Sequence, residues 1–420
     1  MKADLLVKNA GQLITVSGHS KKAKRGHELG ELGLVEDGAV AALDGVITAV
    51  GSTTEVTGQA RLTPGAVVID ARGKVVLPGL VDPHTHLVFA GSRENEFEMK
   101  IKGAAYLDIL AGGGGILSTV RATRAASEAQ LVQIGEKYLV EMLAQGTTTA
   151  EVKSGYGLTL DDELKQLRAI QILQERQPVD LVPTFLGAHA IPGEYRDDPE
   201  AFTELVIEEM LPAVESSGLA ECCDVFCEKD VFSVEQSRRI LKAARRLGFA
   251  LKLHADEIVP LGGAELAAEM QALSADHLVA ATPRGVEKLA ASPTVAVLLP
   301  ATTFCLMGDR YAPAREMIAA GVAVALASDF NPGSSPVNSL PVVMGIACRQ
   351  LKMTPAEAIV AVTINAAHAV GRAAEVGSIE VGKKADLVIF DAADYRSIAY
   401  RFGTNLVERV IKSGRQVVGG

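Results

Sequence analysis

The feature that most constrains the fold of this chain is a regular alternation of short apolar runs and helix-like segments through its middle. Eight such runs occur in order, at residues 75–81, 147–152, 179–186, 220–226, 249–253, 270–275, 294–299 and 322–327. Short apolar runs bounded by turn residues are typical of buried strands, and strands that alternate with helices favour a parallel sheet. Eight β/α units in about 300 residues predict an α/β fold of the (β/α)8 TIM-barrel type. A doubly wound open sheet is the structural alternative.

Several segments between the runs begin with the signals of a helix start. Ser127 and Ser233 are each followed three residues later by glutamine, which makes a capping box. Thr354 is followed by Pro355, a residue favoured at the first position of a helix. These signals predict helices where a β/α barrel requires them.

Both ends of the chain carry a different pattern. Short apolar runs separated by Gly and Asp predict a β-meander in about the first 70 residues, and the end of the chain has the same texture. Neither end is long enough to form a sandwich by itself, whereas the two together are. We therefore predict residues 1–73 as the N-terminal part of a small β-sandwich, residues 74–371 as the barrel, and residues 372–420 as the C-terminal part of the sandwich.

Five of the eight apolar runs end in side chains that can bind a metal or transfer a proton. These side chains are His84 and His86, then His189, then His254 with Asp256 and Glu257, then Asp276 with His277, and finally Asp329. Active sites of β/α barrels form at the carboxyl ends of the strands. We therefore expect these residues to surround one site, and His19, His27 and His368 to lie outside it.

His84 and His86 are the strongest candidates for metal ligands. They are two residues apart on extended backbone, so both rings face the same side and can bind one ion. A single His-x-His pair is also common on surfaces, but this one follows an apolar run and a Pro-Gly turn. Three imidazoles and one carboxylate suit Zn²⁺ or Fe²⁺ and leave one position for water. The sequence therefore predicts a zinc or iron site.

Charge and composition disfavour several other classes of protein. A net charge of −10 and a pI near 5.4 oppose binding to the phosphates of nucleic acids. No apolar run approaches the roughly 18 residues that a membrane helix needs. Cys222, Cys223 and Cys227 crowd one apolar run, where we expect buried thiols of a strand rather than a metal site. These features predict a cytoplasmic protein.

The chain resembles the amidohydrolase superfamily over nearly its whole length. The motifs are PGLVDPHTH at 78–86, the later His254, His277 and Asp329, and GKKADL at 382–387, in that order. The resemblance implies a metal-bearing barrel beside a β-sandwich made by both chain ends. Binuclear members carry a bridging lysine after strand four; the sequence there is FCEK, although Lys153 after strand two could substitute for it. The HADE segment at 254–257 instead fits the His-x-x-Glu of the mononuclear branch.

Within the superfamily, the chain resembles the imidazolonepropionase family. FAGSRENEF at 89–97, AGGGGI at 111–116, KSGYG at 153–157 and SDFNPGS at 328–334 match motifs of that family in order and spacing. The resemblance implies one Zn²⁺ or Fe ion per chain, with the ligands His84, His86, His254 and Asp329. It implies substrate or product contacts by Arg93, Tyr156, His189, Glu257, Asn331, Gly333 and Ser334. It implies catalytic roles for Glu257, His277 and Asp329.

The resemblance also implies a reaction. The expected enzyme hydrolyses the cyclic amide C–N bond of 4-imidazolone-5-propionate to N-formimidoyl-L-glutamate in histidine catabolism, using a metal-activated water. The alternative is a mononuclear deaminase of an aminated heterocycle such as cytosine or guanine, which has no need of Arg93 and His189 to bind a carboxylate tail. A non-catalytic scaffold is the alternative from another class, but every ligand position is filled. A small-molecule substrate and a homodimer are further implications of the resemblance.

Overall fold

The computed structural model describes residues 1–103 and 114–419, and the strands of these residues form a mixed sheet and a parallel sheet. The mixed sheet takes its strands from both chain ends, as predicted. They are β1 Lys2–Ile14, β2 Leu34–Leu43, β3 Val46–Ser52, β4 Arg61–Asp70, β5 Val75–Pro78, β14 Leu387–Phe390, β15 Val407–Lys412 and β16 Arg415–Val418. Their order is β16-β15-β14-β5-β1-β2-β3, with β4 also paired to β1. The domain boundaries given above, at residues 73/74 and 371/372, stay a prediction.

The N-terminal part of the mixed sheet is the predicted meander only in β1, β2 and β3, which pair antiparallel in chain order, whereas β4 pairs with β1. Two of the short apolar runs at this end of the chain, residues 5–7 and 13–16, belong largely to one long strand, β1, whose register with β2 shifts between Val7 and Ala10. Asn9 has a φ of 58° at this shift, a conformation that asparagine tolerates better than most residues. β1 pairs antiparallel with β2 but parallel with β4 and β5. An apolar pattern indicates where strands lie but not which strands pair with each other. The parallel pairs of β1 with β4 and β5 were therefore not predicted.

The parallel sheet is the predicted barrel. Its strands are β6 Leu80–Asp82, β7 Thr147–Lys153, β8 Asp180–Ala188, β9 Cys222–Cys227, β10 Ala250–Ala255, β11 Ser274–His277, β12 Val295–Leu298 and β13 Val324–Leu326, each paired with the next in chain order. A bridge between Thr85 and Phe330, just past β6 and β13, brings the ring nearly to closure. Beside it, the backbone N–H of Asp329 donates to the carbonyl of His84 at 3.0 Å. The structure is therefore not a doubly wound open sheet.

The first predicted run, 75–81, is two strands. β5 pairs with β1 and β14 in the mixed sheet, whereas β6 pairs with β7 in the barrel. Gly79 lies between them, and a Cβ at this position would overlap the side chain of Thr148. Both strands are fully buried, and the run 75–81 is apolar on both sides of the crossing. Only the Pro-Gly pair marks the crossing in the sequence.

Helices cover the outside of the barrel and begin where the capping signals predict. The side chains of Ser127, Ser233 and Thr354 accept the backbone N–H three residues later. The described helices after β5 are Glu94–Ile101, Ile116–Ala125, Glu128–Ala144, Leu160–Arg176, Pro199–Leu205 continuing through Val206–Met210 to Leu211–Ser217, Val234–Arg246, Gly263–Glu269, Pro283–Ala290, Pro300–Cys305, Ala314–Ala319, Leu340–Ile346 continuing to Ala347–Leu351, Pro355–Ala361, Ile364–Ala369 and Arg396–Tyr400, and Thr53–Gln59 precedes them. Among residues 1–103 and 114–419, no helix combines the length and the apolar character needed to cross a membrane.

Among the described residues, three apolar clusters hold these layers together, and the smallest of them lies around Ala3, Leu6 and Val56. The largest extends through the barrel and its helices, and the third lies in the mixed sheet around Leu13, Ile47 and Leu387. Cys222, Cys223 and Cys227 are buried as free thiols in β9, as predicted. The carboxyl ends of the barrel strands are the place where buried polar side chains collect.

Candidate active site

Five histidine rings and one carboxylate meet at the carboxyl ends of the barrel strands. They belong to His84, His86, His189, His254, His277 and Asp329, all of which are buried. Neighbouring rings have centroids 4.5 to 5.4 Å apart. His368 lies elsewhere, with its Nε2 2.7 Å from the carbonyl of His19. The structure thus brings together the residues that the sequence places at strand ends.

Three donor atoms in this cluster have the spacing that one metal ion imposes. Nε2 of His84 is 3.3 Å from Nε2 of His86, and each nitrogen is 3.5 Å from Oδ1 of Asp329. Ligand atoms about 2.1 Å from a tetrahedral zinc ion lie about 3.4 Å from one another. His254 offers a ligand atom within 4.8 Å of those of His84 and His277. Its Nε2 is buried without a hydrogen-bond partner in the described part of the chain. These residues therefore fit a divalent ion.

Two carboxylates beneath the cluster orient the histidine rings. Oδ2 of Asp276 is 2.6 Å from Nδ1 of His84, and Oδ2 of Asp224 is 3.0 Å from Nδ1 of His254. Although burial opposes it, His254 and Lys153 hold the pKa of Asp224 well below its ordinary value. A carboxylate that engages Nδ1 leaves Nε2 of the same ring free to bind a metal.

Two buried lysines balance these carboxylates. Nζ of Lys153 lies 2.6 Å from Asp224 and 2.8 Å from Glu151, and Nζ of Lys252 lies 3.5 Å from Glu151. Burial lowers the pKa of Lys153, but Asp224 and Glu151 outweigh it and hold that pKa above the ordinary value. Lys153 is therefore an ammonium committed to two carboxylates.

Sequence reasoning did not identify Glu151, Asp224 or Lys252 as part of the site. A signal was present, because each is a charged residue inside one of the runs predicted as buried strands. In a barrel, such a residue is buried and must find a partner of opposite charge. Periodicity alone does not reveal this partner, because the partners lie on different strands.

Glu257 and His277 face each other beside the cluster. Oε1 of Glu257 is 3.6 Å from Nδ1 of His277. Burial first, and then the neighbouring carboxylate of Asp329, raise the pKa of Glu257 to about 8. Burial and the nearby His254 lower the pKa of His277 well below its ordinary value. Both shifts favour a protonated carboxyl on Glu257 beside a neutral imidazole on His277.

Asp329 is held in place by its backbone and by one hydroxyl. Its φ is 51°, and its Oδ2 accepts a hydrogen bond from Oγ1 of Thr302 at 2.7 Å. Burial raises the pKa of Asp329 to about 6, against the hydrogen bond from Thr302. Since Thr302 engages Oδ2, Oδ1 is the oxygen that faces His84 and His86.

Arg93 lies at the wall of a cleft of about 860 Å³ outside the histidine cluster. Its Nε donates to Glu96 at 2.9 Å, and the same carboxylate accepts the backbone N–H of Gly115 at 2.9 Å. A Cβ at Gly333 would overlap the guanidinium of Arg93. Glu96 and the bare backbone of Gly333 therefore fix the orientation of Arg93. Of the AGGGGI motif, residues 111–113 lie outside the described residues.

Asn331 and Ser334 shape the loop that contains Gly333. Oδ1 of Asn331 accepts the backbone N–H groups of Gly333 and Ser334, both at 2.8 Å. Nδ2 of Asn331 donates to the carbonyl of Asp329 at 2.7 Å and to Oγ of Ser334 at 2.8 Å. These contacts place Gly333 against Arg93. They use both the oxygen and the nitrogen of the Asn331 side-chain amide.

Tyr156 and His189 line the cluster on the side of His86. The ring of His189 stacks on that of His86 at 4.8 Å, and the ring of Tyr156 lies 5.8 Å from His86. Burial and the nearby His254 lower the pKa of His189 to about 3. His189 is therefore neutral. The cleft beside the cluster offers two cations to an anionic group, Arg93 and Lys100, and the contacts with Glu96 and Gly333 orient Arg93.

Comparisons with known proteins agree with this geometry. A model of the amidohydrolase family matches residues 75–417. An imidazolonepropionase of Alkaliphilus oremlandii is 56% identical over 418 residues, which cover 100% of this chain and 99% of the relative. One of Symbiobacterium thermophilum is 53% identical over 99% of this chain and 97% of the relative.

Solved structures share the fold at low identity. A 5-methylcytosine deaminase from Klebsiella pneumoniae matches with a TM-score of 0.74 and 18% identity over 99% of this chain and 98% of its own. A zinc-bound adenosine deaminase from Xanthomonas campestris matches with a TM-score of 0.70 and 19% identity over 100% of this chain and 93% of its own. At this identity the likeness shows the barrel architecture alone. The full-length identity above 50% is more specific, and this chain belongs to the imidazolonepropionase family of the amidohydrolases.

Proposed function

We propose that this chain hydrolyses the ring C–N bond of 4-imidazolone-5-propionate and releases N-formimidoyl-L-glutamate, a step of histidine degradation. The observation that carries the proposal is the position of Arg93. Its oriented guanidinium lies in a cleft wall beside the metal-binding cluster, where a ring at the cluster can direct an anionic tail toward it. The full-length relatives named imidazolonepropionase support the same reaction.

His84, His86, His254 and Asp329 are the proposed ligands of one zinc or iron ion. The spacing of 3.3 to 3.5 Å among donor atoms of His84, His86 and Asp329 supports them. Such an ion would supply Lewis-acid chemistry, including a water whose pKa is lowered from about 15.7 to about 7. Lys153 is held by Glu151 and Asp224, so it has no free amine to bridge a second ion. This supports a count of one ion per chain.

Proton movement falls to Asp329, His277 and Glu257. Asp329 presents Oδ1 toward the ligand nitrogens and can accept a proton from the attacking water. Glu257, protonated at neutral pH, can donate a hydrogen bond to a ring nitrogen and then a proton to the departing nitrogen. Neutral His277, 3.6 Å from Glu257, orients that carboxyl and can stabilise the tetrahedral oxyanion.

The propionate tail is assigned to Arg93. A guanidinium binds a carboxylate through two parallel hydrogen bonds, and the chain's net charge of −10 offers no long-range attraction for an anion. Tyr156 and His189 would contact the ring from the side of His86. Asn331, Gly333 and Ser334 would act at the tail, where they set the loop against Arg93.

The test is a double cycle of substrate and protein. Freshly made imidazolonepropionate and the same ring without its carboxylate are each given to the wild type and to Arg93→Ala, and the loss of ultraviolet absorbance is followed. A charge-assisted hydrogen bond to the tail predicts a loss in kcat/KM of about 10- to 150-fold for the natural substrate. For the truncated ring we expect a much smaller loss, and the exposed Arg284→Ala serves as the control. Equal losses with both substrates would remove Arg93 as the tail anchor.

The deaminase alternative is tested in the same preparation. Cytosine and guanine are incubated with the metal-loaded protein, and ammonia is measured. The deaminases that share the fold are under 20% identical to this chain. A neutral nucleobase has no carboxylate, so it gives the oriented Arg93 nothing to bind. Release of ammonia at a rate comparable to imidazolone hydrolysis would favour the alternative.

We also propose a cytoplasmic location and a homodimer. All five cysteines lie in the described part of the chain and are free thiols, which supports a reducing compartment. The homodimer follows from the family resemblance, and sedimentation analysis measures it.

A further inference from the structure

We infer that Glu163 is a positioning residue for Tyr156 and His189, acting through the loop of residues 154–158. Glu163 lies on the helix Leu160–Arg176 that follows this loop, and its side chain is fully buried. It is placed to act on the substrate contacts rather than on the substrate. The inference rests on the proposed function, because that function assigns the substrate contacts to Tyr156 and His189.

Two side chains of one helix hold four consecutive backbone N–H groups of this loop. Oε2 of Glu163 accepts from Gly155 at 3.0 Å, and Oε1 accepts from Gly157 at 2.9 Å and from Leu158 at 2.7 Å. The remaining group, the N–H of Tyr156, donates to Oε1 of Gln166 at 3.0 Å. Buried N–H groups require partners, so the helix supplies the acceptors that a strand would otherwise provide.

The bond at Gly155 reaches His189. The carbonyl of Gly155 accepts a hydrogen bond from Nδ1 of His189 at 2.9 Å. Because a carbonyl only accepts, Nδ1 is the donor in this contact, which selects the tautomer with the proton on Nδ1 and leaves Nε2 as the acceptor. Glu163 therefore acts on the His189 tautomer through the backbone of one residue, Gly155.

The two glycines of the loop show how closely these groups approach. Gly155 has a φ of 103°, and a Cβ there would lie 2.9 Å from Nδ1 of His189. A Cβ at Gly157 would lie 2.5 Å from the backbone nitrogen of Glu163. The KSGYG motif thus contains glycine where the loop touches His189 and where it touches the helix, with Tyr156 between them.

Gln166 fixes the other half of the arrangement. Its Nε2 donates to the carbonyl of Val88 at 2.7 Å while its Oε1 holds Tyr156. The loop of Tyr156 is in this way tied to the segment that follows His86. Glu163 and Gln166 lie one turn apart on the helix. Glu163 positions His189 through Gly155, and Gln166 positions Tyr156.

Glu163→Gln separates positioning from simple stability. The glutamine oxygen can keep the bonds to Gly157 and Leu158, but its amide group then faces the N–H of Gly155, a donor against a donor. The hydrogen bond that is lost is therefore the one at Gly155, the residue whose carbonyl binds His189. Glu175→Gln, an exposed position on the same helix, is the matched control.

The experiment uses the full chain loaded with zinc and labelled with ¹⁵N in its histidine rings. His189→Asn assigns the His189 signals. In the wild type and in Glu175→Gln we expect one tautomer with Nδ1 protonated. In Glu163→Gln we expect a mixture of tautomers, a KM for imidazolonepropionate raised about 10-fold, a smaller change in kcat and an unchanged zinc content.

Glu163→Asp is the second variant, measured in the same way if Glu163→Gln fails to fold. It keeps the charge but withdraws the carboxylate by one methylene, and we expect the same tautomer change. A single wild-type tautomer with an unchanged KM in the folded variant would overturn the inference, as would a lowered urea midpoint alone. If the wild type does not turn over imidazolonepropionate, the proposed function fails, whereas the ¹⁵N signals still decide whether Glu163 positions His189.

Discussion

At the scale of single residues, Glu257 shows how burial changes the chemistry of a side chain. A carboxyl group in water is ionised at neutral pH, but burial and the nearby Asp329 raise the pKa of Glu257 to about 8. The same residue type on the surface would be a poor proton donor. Its position at the end of β10, three residues after a proposed metal ligand, is visible in the sequence, whereas its protonation state is not.

We predict that Glu257→Gln lowers kcat by about 10²-fold or more, because the amide keeps one hydrogen bond but cannot transfer a proton. Metal content, measured by elemental analysis, is expected to stay unchanged. His84→Ala is the contrasting variant: it removes a proposed ligand, and we expect both metal and activity to be lost while the far-ultraviolet circular dichroism is kept. Metal loss in Glu257→Gln would instead make Glu257 a ligand.

At the scale of elements, the loops after the barrel strands are fixed by buried side-chain acceptors. Asp256 follows β10 with a φ of 48°, and its carboxylate accepts the backbone N–H groups of Gly262, Gly263 and Ala264 at 2.9 to 3.0 Å. Glu228 follows β9 and accepts the N–H of Ile258 at 2.8 Å. The two carboxylates hold the backbone on both sides of Glu257. A loop that must leave the sheet loses ladder partners, and these side chains replace them.

We predict that Asp256→Ala destabilises the protein and displaces Glu257. Buried donors left without a partner cost about 1 to 3 kcal/mol each, so we expect a loss of a few kcal/mol in urea unfolding. Asp256→Asn retains one acceptor oxygen and should lose less. The rate of substrate hydrolysis should fall while the zinc content stays the same, since Asp256 is not one of the proposed metal ligands. An unchanged unfolding midpoint in Asp256→Ala would contradict this account of the loop.

At the scale of the whole molecule, a group of charges joins the mixed sheet to the barrel. Asp180 begins β8, and its Oδ2 accepts from Lys412 at 2.6 Å and from Lys384 at 3.0 Å. Lys412, on β15, also donates to the buried Asp386 at 2.6 Å. Burial raises the pKa of Asp180, but Lys412 and Lys384 outweigh it and hold that pKa below the ordinary value. This pairing stabilises the fold above about pH 4 and is lost as the pH falls through the lowered pKa.

We predict that Lys412→Met lowers the free energy of unfolding by about 3 kcal/mol at pH 7, because Asp386 is left buried without its cation. Burial already raises the pKa of Asp386, so in the variant this carboxyl protonates more readily. The difference from the wild type should therefore shrink between pH 7 and pH 5 in urea titrations. Lys102→Met, an exposed ion-pair position, is the control, with an expected change within about 0.5 kcal/mol. A difference that grows on acidification would contradict the assignment.

Local sequence patterns predicted the order of β/α units, the helix starts at Ser127, Ser233 and Thr354, and the side chains at strand ends. These are local properties, since apolar periodicity and capping act within a few residues of chain. The His-x-His pair is of this kind, because its two rings share a face of one strand. The family resemblance added roles that no local pattern contains.

Which distant groups meet depends on the three-dimensional fold. The 3.5 Å between His84 and Asp329 exists because the barrel brings its first and last strands together. The parallel partners of β1, the ion pairs of Lys153 and the raised pKa of Glu257 likewise depend on neighbours remote in the chain. Burial and long-range contact depend on the folded chain as a whole, and for that reason the chemistry of the site is set where distant strands meet rather than in any one segment.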